Sequence, residues 1–488
     1  MRTGRTETTP VLVVGAGPAG LVAAITLARY GIPSLLVERR ADSSSLPRAT
    51  LINLRTMELL RSWGLEPAVR ATAMDVLPRG LITETLATPG MELTFGYPTA
   101  EEAAPHSPTY PAIAPQDDLE PILLDHLTTY PAASVRLGTE LFGLQQDATG
   151  VTAEIRDVAT GETSTVHTRY LIGADGAHSA VRNQLGIGME GPDQLGVHTT
   201  ALFRAPLFQV AGERRYGLYA IMHPEASGVL VPAGRGDRWL YAHELAPDSP
   251  PSTGSIDEML RRIRIATAQP DLRPRLERTG SFSFAAQVAD RFRDGRAFLV
   301  GDAAHRVTPR GGTGMNTAIY DGFDLGWKLA WVLSGWSGAA LLDSYVAERG
   351  PVGVRNVARS ARIDGSGRSL ADGIAEDLDG RVAHAWVPRN GTQVSTLDLV
   401  GEGFTVLTGP DGAPWRQAVA DARSTVPVHA HELDETTAQA VGVEHGGAAL
   451  IRPDGRVMAR WDAMEHFRTS ALRIGMDAMI HPPEALSA

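Results

Sequence analysis

Short apolar runs alternate along this chain with longer stretches whose apolar positions recur every three or four residues. Val11 to Val14 are one such run, a periodic stretch with Leu21, Ala24 and Ile25 follows, and Ser34 to Val37 are the next run. Runs of this length predict buried strands, and the periodic stretch predicts a helix, which Gly31 ends. The order strand, helix, strand predicts an α/β fold.

The turn after the first strand has the sequence GAGPAG, residues 15–20. Gly15 makes the turn, Gly17 lets the backbone approach a pyrophosphate, and Gly20 lets the helix meet the strand. The helix N-terminus favours phosphates, and Glu38 at the end of the second strand can accept hydrogen bonds from ribose hydroxyls. The unit predicts a dinucleotide site for FAD or NAD. The alternative is a tight turn with an incidental surface Glu38.

A second glycine-rich turn lies near residue 300. Residues 297–300 are an apolar run, Asp302 follows, and a GGTG sequence at 311–314 precedes a helix. Asp302 at a strand end can accept hydrogen bonds from sugar-type hydroxyls, and the glycines let backbone N–H groups approach a flat or anionic ligand. Asn316 is predicted to cap the helix. Small residues four apart predict close approach of another element to this helix; they are Ala318, Gly322, Gly326 and Ala330.

Several polar residues between these turns are candidates for cofactor contacts. Arg39 or Arg48 can neutralise a pyrophosphate or stack over a ring. Gln116 opens a helix, where it either donates to a cofactor chain or caps the helix. Residues 151–170 predict a β-hairpin around Thr160-Gly161.

Composition narrows the function classes. The chain has 488 residues, enough for two or three domains, and its net charge of −11 argues against a nucleic-acid surface. It has no cysteine, which excludes disulfides, thiolate metal sites and cysteine nucleophiles. We see no signal peptide and no apolar run near the roughly 20 residues of a membrane helix, so we expect a cytoplasmic protein without nucleic-acid or membrane partners.

Three motifs together carry a family resemblance. GAGPAG at 15–20, GADG at 173–176 and GDAAH at 301–305 match, in order and spacing, the fingerprints of the single-component FAD aromatic hydroxylases. The chain resembles para-hydroxybenzoate hydroxylase, phenol hydroxylase and the hydroxylases of aromatic polyketide biosynthesis. The resemblance covers nearly all of residues 10–360 and includes Pro47-Arg48-Ala49 and Gln116.

This resemblance implies a fold. It is α/β, with a Rossmann-type FAD-binding domain, an interleaved β-sheet substrate domain and a C-terminal thioredoxin-like domain. The implied boundaries are 1–185 and 285–365 for FAD binding, with substrate-sheet segments within 75–115; 186–284 for the substrate sheet; 366–390 for a linker; and 391–488 for the thioredoxin-like domain. Because the chain lacks cysteine, that last domain has no thiol redox chemistry, and we expect a structural role.

The resemblance also implies a set of cofactor contacts. Asp175 belongs to a motif linked to both FAD and NAD(P)H, and Asp302 is expected on the ribityl chain. The implied FAD-binding residues are Gly15, Gly17, Ala19, Gly20, Glu38, Arg39, Arg48, Gln116, Asp175, Asp302, Pro309, Gly312, Gly314, Met315 and Asn316. Neither a metal site nor a side chain that is certain to be catalytic is implied, because the flavin carries the chemistry.

The chain departs from the family near the flavin edge. The family often has Pro-Pro and Gln-Gly before Met/Leu-Asn, whereas this chain has Pro309-Arg310 and Thr313-Gly314. Arg310 and Thr313 are therefore pocket candidates. Tyr216 and His223, on the predicted sheet, are further candidates, although a core or surface position is the simpler interpretation.

The implied reaction is hydroxylation of a phenolic or polycyclic polyketide substrate through a flavin hydroperoxide, with O2 and NAD(P)H. NADPH is favoured and expected to bind transiently, because there is no second dinucleotide motif. Baeyer–Villiger insertion or epoxidation by the same flavin, an NAD-dependent dehydrogenase, and a non-catalytic FAD-binding module are the alternatives. A monomer and a homodimer are both compatible with the sequence.

Overall fold

The computed structural model describes residues 5–42, 44, 46–245, 255–362, 368–389, 391–422 and 424–462. Its strands, in chain order, are β1 Arg5–Val14, β2 Ser34–Glu38, β3 Leu51–Ile52, β4 Leu77–Thr83, β5 Gly90–Leu93, β6 Ala112–Ile113, β7 Ala133–Leu137, β8 Thr139–Gln146, β9 Val151–Asp157, β10 Thr163–Gly173, β11 Met189–Glu190, β12 Gly196–Arg204, β13 Tyr216–Ile221, β14 Gly228–Gly234, β15 Arg238–Glu244, β16 Arg275–Phe284, β17 Gln287–Ala289, β18 Arg293–Asp294, β19 Ala297–Leu299, β20 His305–Arg306, β21 Trp386–Arg389, β22 Thr392–Ser395, β23 Phe404–Thr408, β24 Val428–Glu432, β25 Ala448–Ile451 and β26 Val457–Trp461.

The helices connect and cover these strands. They are α1 Pro18–Arg29, α2 Leu54–Ser62, α3 Glu66–Thr72, α4 Ala100–Ala103, α5 Gln116–Thr128, α6 Ala180–Gln184, α7 Leu207–Ala211, α8 Ile256–Thr267, α9 Gly314–Leu333, α10 Asp343–Ala361, α11 Leu370–Leu378, α12 Ala413–Asp421 and α13 Glu435–Ala440. Over the described ranges, no helix combines the length and the apolar character that crossing a membrane requires.

The largest sheet is the Rossmann-type one that the first motif predicts. Its strand order is β18-β19-β10-β1-β2-β7, and β1 runs parallel to both β10 and β2. The predicted hairpin is present, because β9 pairs antiparallel with β10 and Gly161 adopts φ +72° in the turn. The motif glycines and Glu38 thus lie at the carboxyl edge of parallel strands, where α/β sheets bind ligands.

Helix α9 packs directly on α1, as its small residues predict. A Cβ atom on Gly322 would lie 2.2 Å from the carbonyl oxygen of Ala19, and one on Gly326 would lie 2.7 Å from Cβ of Thr26. No other residue fits at either position without moving a helix. This contact brings both glycine-rich turns to one site, because α1 follows the first turn and α9 follows the second.

A seven-stranded sheet with the order β16-β12-β15-β14-β13-β4-β5 forms a second layer. Strands β4 and β5 come from the predicted 75–115 segments, and the other five come from residues 196–284. One face of this sheet is closed by α7 and α8, whose Leu207 and Ile263 share its apolar core. The other face is discussed with the site.

The C-terminal region contains a four-stranded sheet with the order β24-β23-β25-β26. Strand β23 runs parallel to β24 and antiparallel to β25, and helices α12 and α13 connect these strands. This is the predicted thioredoxin-like arrangement. Residues 463–488 of the predicted domain lie outside the described ranges.

The predicted linker is more ordered than its composition indicates. It contains α11, Leu370–Leu378, and Gly373 is so close to Gly96 that a Cβ atom would lie 1.8 Å from the Gly96 carbonyl oxygen. Residues 366–367 and 390 of that segment are outside the described ranges. The domain boundaries themselves stay a prediction.

A buried ion-pair network joins the C-terminal region to the FAD-binding domain. Lys328 on α9 donates to Asp324 at 2.7 Å and to Glu348 at 3.1 Å. Arg452, at the end of β25, donates to Glu348 at 2.7 Å and also binds Asp454. The two cations lie among the three carboxylates, so this cluster docks one domain on the other.

Candidate FAD site

The first turn has the geometry that its three glycines predict. A Cβ atom on Gly15, which adopts φ +110°, would lie 2.3 Å from the carbonyl oxygen of Ala174. A Cβ atom on Gly20 would lie 2.0 Å from the carbonyl oxygen of Gly15. At Gly17, by contrast, a Cβ atom would meet nothing within 4 Å in the described chain. Gly17 therefore borders open space at the N-terminus of α1, where an anionic group is favoured.

Glu38 ends β2 beside this turn. The Ala16 N–H donates to its Oε2 at 2.9 Å, and the Arg40 N–H and Nε donate to its Oε1 at 3.0 and 3.1 Å. Burial alone would raise the pKa of Glu38, but these donors and the Arg40 charge outweigh burial and lower it. Glu38 is thus an ionised acceptor. The predicted Arg39 is exposed, and its neighbour Arg40 is the arginine that contacts Glu38.

Gln116 is oriented by a partner that the sequence interpretation did not single out. Helix α5 begins at Gln116, but this side chain does not cap it; its Nε2 donates to Glu120 Oε1 at 2.7 Å. Burial raises the pKa of Glu120, which Gln116, Arg40 and Arg48 oppose. Arg48 is exposed, and its positive charge opposes the rise in the pKa of both Glu120 and Asp302.

Asp175, in the GADG motif at 173–176, accepts hydrogen bonds from the residues that follow this motif. The Ser179 hydroxyl donates to its Oδ1, and the Val181 N–H donates to its Oδ2 at 3.0 Å, so Asp175 holds the start of α6. Burial raises the pKa of Asp175, which these hydrogen bonds oppose. Arg182 then donates to the Ala303 carbonyl at 3.1 Å, which ties this motif to the third one.

Asp302 has the most open environment of these acids. Its side chain is exposed and accepts no hydrogen bond from any residue that the structure describes. Protein nevertheless surrounds the carboxyl on most sides, and this desolvation raises the pKa of Asp302, against the positive charges of His305 and Arg48. An unpartnered carboxylate in a recess is suited to accept hydrogen bonds from ligand hydroxyls.

A buried triad fixes the backbone around Asp302. His305 Nε2 lies 2.5 Å from Asp321 Oδ2, which also accepts from the Gly301 N–H at 3.1 Å. Arg349 donates to the other Asp321 oxygen at 2.8 Å. Burial would raise the pKa of Asp321, but His305 and Arg349 outweigh it and lower that pKa. Asp321 was missed by sequence interpretation.

The second glycine-rich loop, residues 309–314, leads into α9. The helix begins at Gly314, so Asn316 lies inside the first turn and the prediction that it caps α9 is wrong. Its side chain instead donates to the Leu51 carbonyl at 3.0 Å and to the Gly312 carbonyl at 3.2 Å. Asn316 thus fixes the loop by bridging it to the segment after Arg48, while Met315 beside it is buried.

Tyr97 holds this loop from the other side. Its hydroxyl donates to the Gly311 carbonyl at 2.7 Å, across 214 positions of the chain. Nothing local in the sequence marks Tyr97, so sequence interpretation missed it. Two residues earlier, Phe95 packs on the seven-stranded sheet, because a Cβ atom on Gly80 would lie 3.0 Å from the Phe95 ring. The loop and the sheet are therefore neighbours.

The sheet face toward this loop is apolar, and most of its side chains are half-buried, although Leu202 and Ala242 on the same face are buried. Neighbouring strands contribute its residues: Ile82, Thr200, Leu218, Ala220, Val229, Val231 and Leu240. At one end of the strand order Phe95 approaches Leu218, and at the other end Arg310 lies 5.5 Å over the Phe284 ring. We call this surface the open face. An apolar surface of this kind, which is left partly exposed, is typical of a binding site.

Of the four pocket candidates, Arg310 and Thr313 lie in the loop itself. Arg310 reaches Phe284 and also the Ala361 carbonyl at 3.4 Å, and Thr313 is buried directly before α9. Tyr216 packs with the core on the α8 side of the sheet, and His223 lies in the turn after β13. These two do not join the open face.

The arrangement fits FAD. Gly17 offers open space at a helix N-terminus, Glu38 is an ionised acceptor beside it, and Asp302 is an unpartnered acceptor between this turn and the loop. The first backbone N–H groups of α9 lack helical partners and carry partial positive charge. One elongated ligand with phosphates, hydroxyls and a flat ring can use all of these groups.

Comparisons with known proteins agree with this geometry. The sequence family described as FAD binding domain matches residues 8–360, and the family described as aromatic-ring hydroxylase, C-terminal, matches residues 377–483. Together they span most of the chain.

Individual relatives match over almost their whole length. Tetracenomycin A2 monooxygenase-dioxygenase from Streptomyces glaucescens is 35% identical, with 97% of both chains covered. The flavin-dependent monooxygenase PieE, solved with FAD and substrate, is 30% identical with a TM-score of 0.88 over 98% of this chain and 99% of that one. Aklavinone-11 hydroxylase, solved with FAD and aklavinone, is 32% identical with a TM-score of 0.86 over 98% and 100%.

Proposed function

This chain belongs to the FAD-dependent aromatic hydroxylases, and from that premise we propose that it hydroxylates a polycyclic aromatic substrate of polyketide type, with NADPH as reductant. Membership makes it an FAD-dependent monooxygenase that uses NAD(P)H. The substrate class, the preference for NADPH and the individual site residues are the parts that we propose.

The open face is the observation that carries the substrate proposal. It spans several strands and consists mainly of aliphatic side chains such as Leu218, Val231 and Leu240, with Thr200 and His198 as polar side chains on β12. A flat, fused-ring substrate buries far more apolar area on such a surface than a single phenol does, and the favourable free energy scales with that area. Relatives whose names refer to tetracenomycin A2 and aklavinone support the same class.

When bound, FAD takes electrons from NAD(P)H and uses them to activate O2 for transfer of one oxygen atom to the substrate. The protein's part is to bind and orient. Glu38 and Asp302 would accept from hydroxyl groups of the cofactor, Arg48 would neutralise phosphate charge, and the α9 N-terminus would favour negative charge on the ring. Apolar residues of the open face would exclude water from the reacting atoms.

The proposal is tested with purified protein, FAD, and NADPH or NADH, against simple phenols and fused-ring phenols and quinones. We expect fused-ring compounds to accelerate NADPH oxidation and to gain one oxygen as a ring hydroxyl, which NMR distinguishes from a lactone or an epoxide. Acceleration by simple phenols alone would contradict the substrate class. A lactone or an epoxide as product would contradict hydroxylation.

The assignment of Asp302 is tested separately. Replacement of this unpartnered carboxylate by alanine should weaken FAD binding about tenfold to hundredfold, since hydrogen bonds to a charged acceptor are lost. Fluorescence titration of the apoprotein measures that affinity. Asp290→Ala is the matched control, because Asp290 is an exposed acid that already has partners within the chain, Arg291 and the Gly188 N–H. Equal affinity of the two variants would contradict the assignment.

A further inference from the structure

Helix α2 is held along its length by residues of the C-terminal region. At its N-terminus, Asn53 Nδ2 donates to Asp377 Oδ1 at 2.8 Å. In its middle, Arg381 donates to the two oxygens of Glu58 at 2.6 and 2.9 Å. These contacts span more than 300 positions of the chain, so the C-terminal region fixes where α2 begins.

A third contact lies at the far end of the same helix. Arg61 pairs there with Asp398, and both side chains are about one-quarter exposed. Because solvent screens this pair, it stabilises the docking far less than the buried contacts do. It thus offers a control at the end of α2 that is farther from the glycine-rich loop 309–314.

The N-terminus of α2 is in direct contact with the first turn of α9, which follows the glycine-rich loop 309–314. The Asn53 N–H donates to Asn316 Oδ1 at 3.0 Å, and the Asn53 side chain accepts from the Thr56 N–H at 2.9 Å. Since one side of the Asn316 amide is held by Asn53, its Nδ2 is directed at the Leu51 and Gly312 carbonyls. Asp377, Asn53, Asn316 and Gly312 therefore form one continuous hydrogen-bonded chain.

A second connection runs from the same C-terminal segment to Gly311, the loop residue next to Gly312. Arg368 lies 4.8 Å over the ring of Tyr97 and donates to the Phe95 carbonyl at 3.1 Å. Tyr97 in turn donates to the Gly311 carbonyl. The segment 368–378 thus restrains two adjacent loop residues, 311 and 312, through independent paths.

We propose that Asp377 is a positioning residue for the flavin: by holding Asn53, it sets the orientation of the Asn316 amide and thereby the conformation of the loop at Gly312. The contact assigns a task to the segment between the FAD-binding domain and the thioredoxin-like domain. That task requires no thiol chemistry and does not depend on which substrate the enzyme uses.

The surroundings of Asp377 agree with this role. Burial raises its pKa to about 6, against the Arg368 charge and the Asn53 hydrogen bond, and Glu58 and Glu376 raise it further. The net effect of these surroundings disfavours the charged form of Asp377, so a negative charge is not what this position requires. The carboxamide of asparagine, which has the same shape and an acceptor oxygen, should therefore replace it.

The test compares apoproteins by FAD fluorescence titration and holoproteins by visible absorption. Asp377→Ala leaves the Asn53 donor unsatisfied, and we expect about tenfold weaker FAD binding and a shifted flavin band. Asp377→Asn should retain wild-type affinity and spectrum. Arg61→Ala, which breaks the exposed pair at the far end of α2, should retain both as well.

A double variant that exchanges the side chains of Asn53 and Asp377 provides a second, independent test. Asn53→Asp alone sets two carboxylates against each other and should weaken FAD binding, and adding Asp377→Asn should restore it because donor and acceptor are then exchanged. Wild-type affinity and spectrum in Asp377→Ala would overturn the proposal, as would an equal loss in Arg61→Ala. A wild-type protein that binds no FAD would overturn the cofactor assignment itself.

Discussion

The two faces of the seven-stranded sheet differ although both are apolar. On the face toward α8, the large side chains are completely enclosed: Phe203, Tyr219, Leu230, Trp239 and Tyr241 are all 0% exposed. On the open face, residues one position away along the same strands, such as Leu218, Ala220 and Leu240, are half-buried. Adjacent positions of one strand therefore experience different environments.

Two tyrosine hydroxyls of the covered face have hydrogen-bond acceptors within the chain. Tyr219 donates to the Arg214 carbonyl at 2.6 Å, and Tyr241 donates to the Ala226 carbonyl at 2.8 Å. Each hydroxyl therefore closes a loop onto the sheet, and each ring fills the space below α8. These tyrosines are core residues, whereas the half-buried side chains of the open face form the proposed substrate surface. Burial on one side stabilises the fold, and exposure on the other retains binding surface.

The largest expected effect is on the covered face. Trp239→Ala empties a completely buried site and should lower the free energy of unfolding by about 3–5 kcal/mol. Leu240→Ala, one position along β15 but on the open face, should cost only about 1 kcal/mol. Urea unfolding of the holoproteins measures both. Equal losses would show that the two faces are equally packed and would remove the basis for the proposed substrate site.

The second-largest expected effect is a loss of activity from a substitution on the open face. Ala220→Trp adds a large ring to the open face and should lower kcat/KM for a fused-ring substrate by about 10–100-fold, because the ring occupies the ligand's space. Stability should hardly change, since the position is not enclosed. Ala148→Trp, on an exposed turn between β8 and β9, is the matched control. Unchanged kinetics in Ala220→Trp would place the substrate elsewhere.

The sequence predicted the parts of the site that depend on local pattern. Gly15, Gly17 and Glu38 belong to one strand–helix–strand unit, and the small residues of α9 predicted its contact with α1. These features are local because a turn or a helix face is built from neighbouring positions. The fold class and the family followed from three such local motifs in order.

The parts that the sequence did not predict depend on distant positions. Tyr97 reaches Gly311 across 214 positions, and Asn53 reaches Asp377 across 324. Strand β13 is apolar at successive positions, so alternation does not reveal which face binds a ligand. Tyr216, which was a pocket candidate because it lies on the predicted sheet, packs on the covered side. Only the tertiary arrangement distinguishes such cases.

The smallest expected effect is on the pH dependence of folding stability. Two histidines on opposite faces of the sheet contribute to it. Burial lowers the pKa of His243, on the covered face near Arg262 and Glu258, below its ordinary value of 6.5. Burial also lowers the pKa of His198, on the open face near Glu244 and Arg310. Since the unfolded chain then takes up protons first, stability should be level above about pH 6.5 and fall as the pH drops below it.

Glutamine at either position should reduce that loss, because a neutral side chain has no proton to bind. Unfolding midpoints in urea between about pH 7.5 and about pH 5 measure the slope. A bound fused-ring ligand covers the open face and should therefore change the contribution of His198 while leaving that of His243 as it was. A ligand that alters the slope equally in His198→Gln and His243→Gln would contradict the distinction between the two faces, since only one of these imidazoles borders the proposed substrate site.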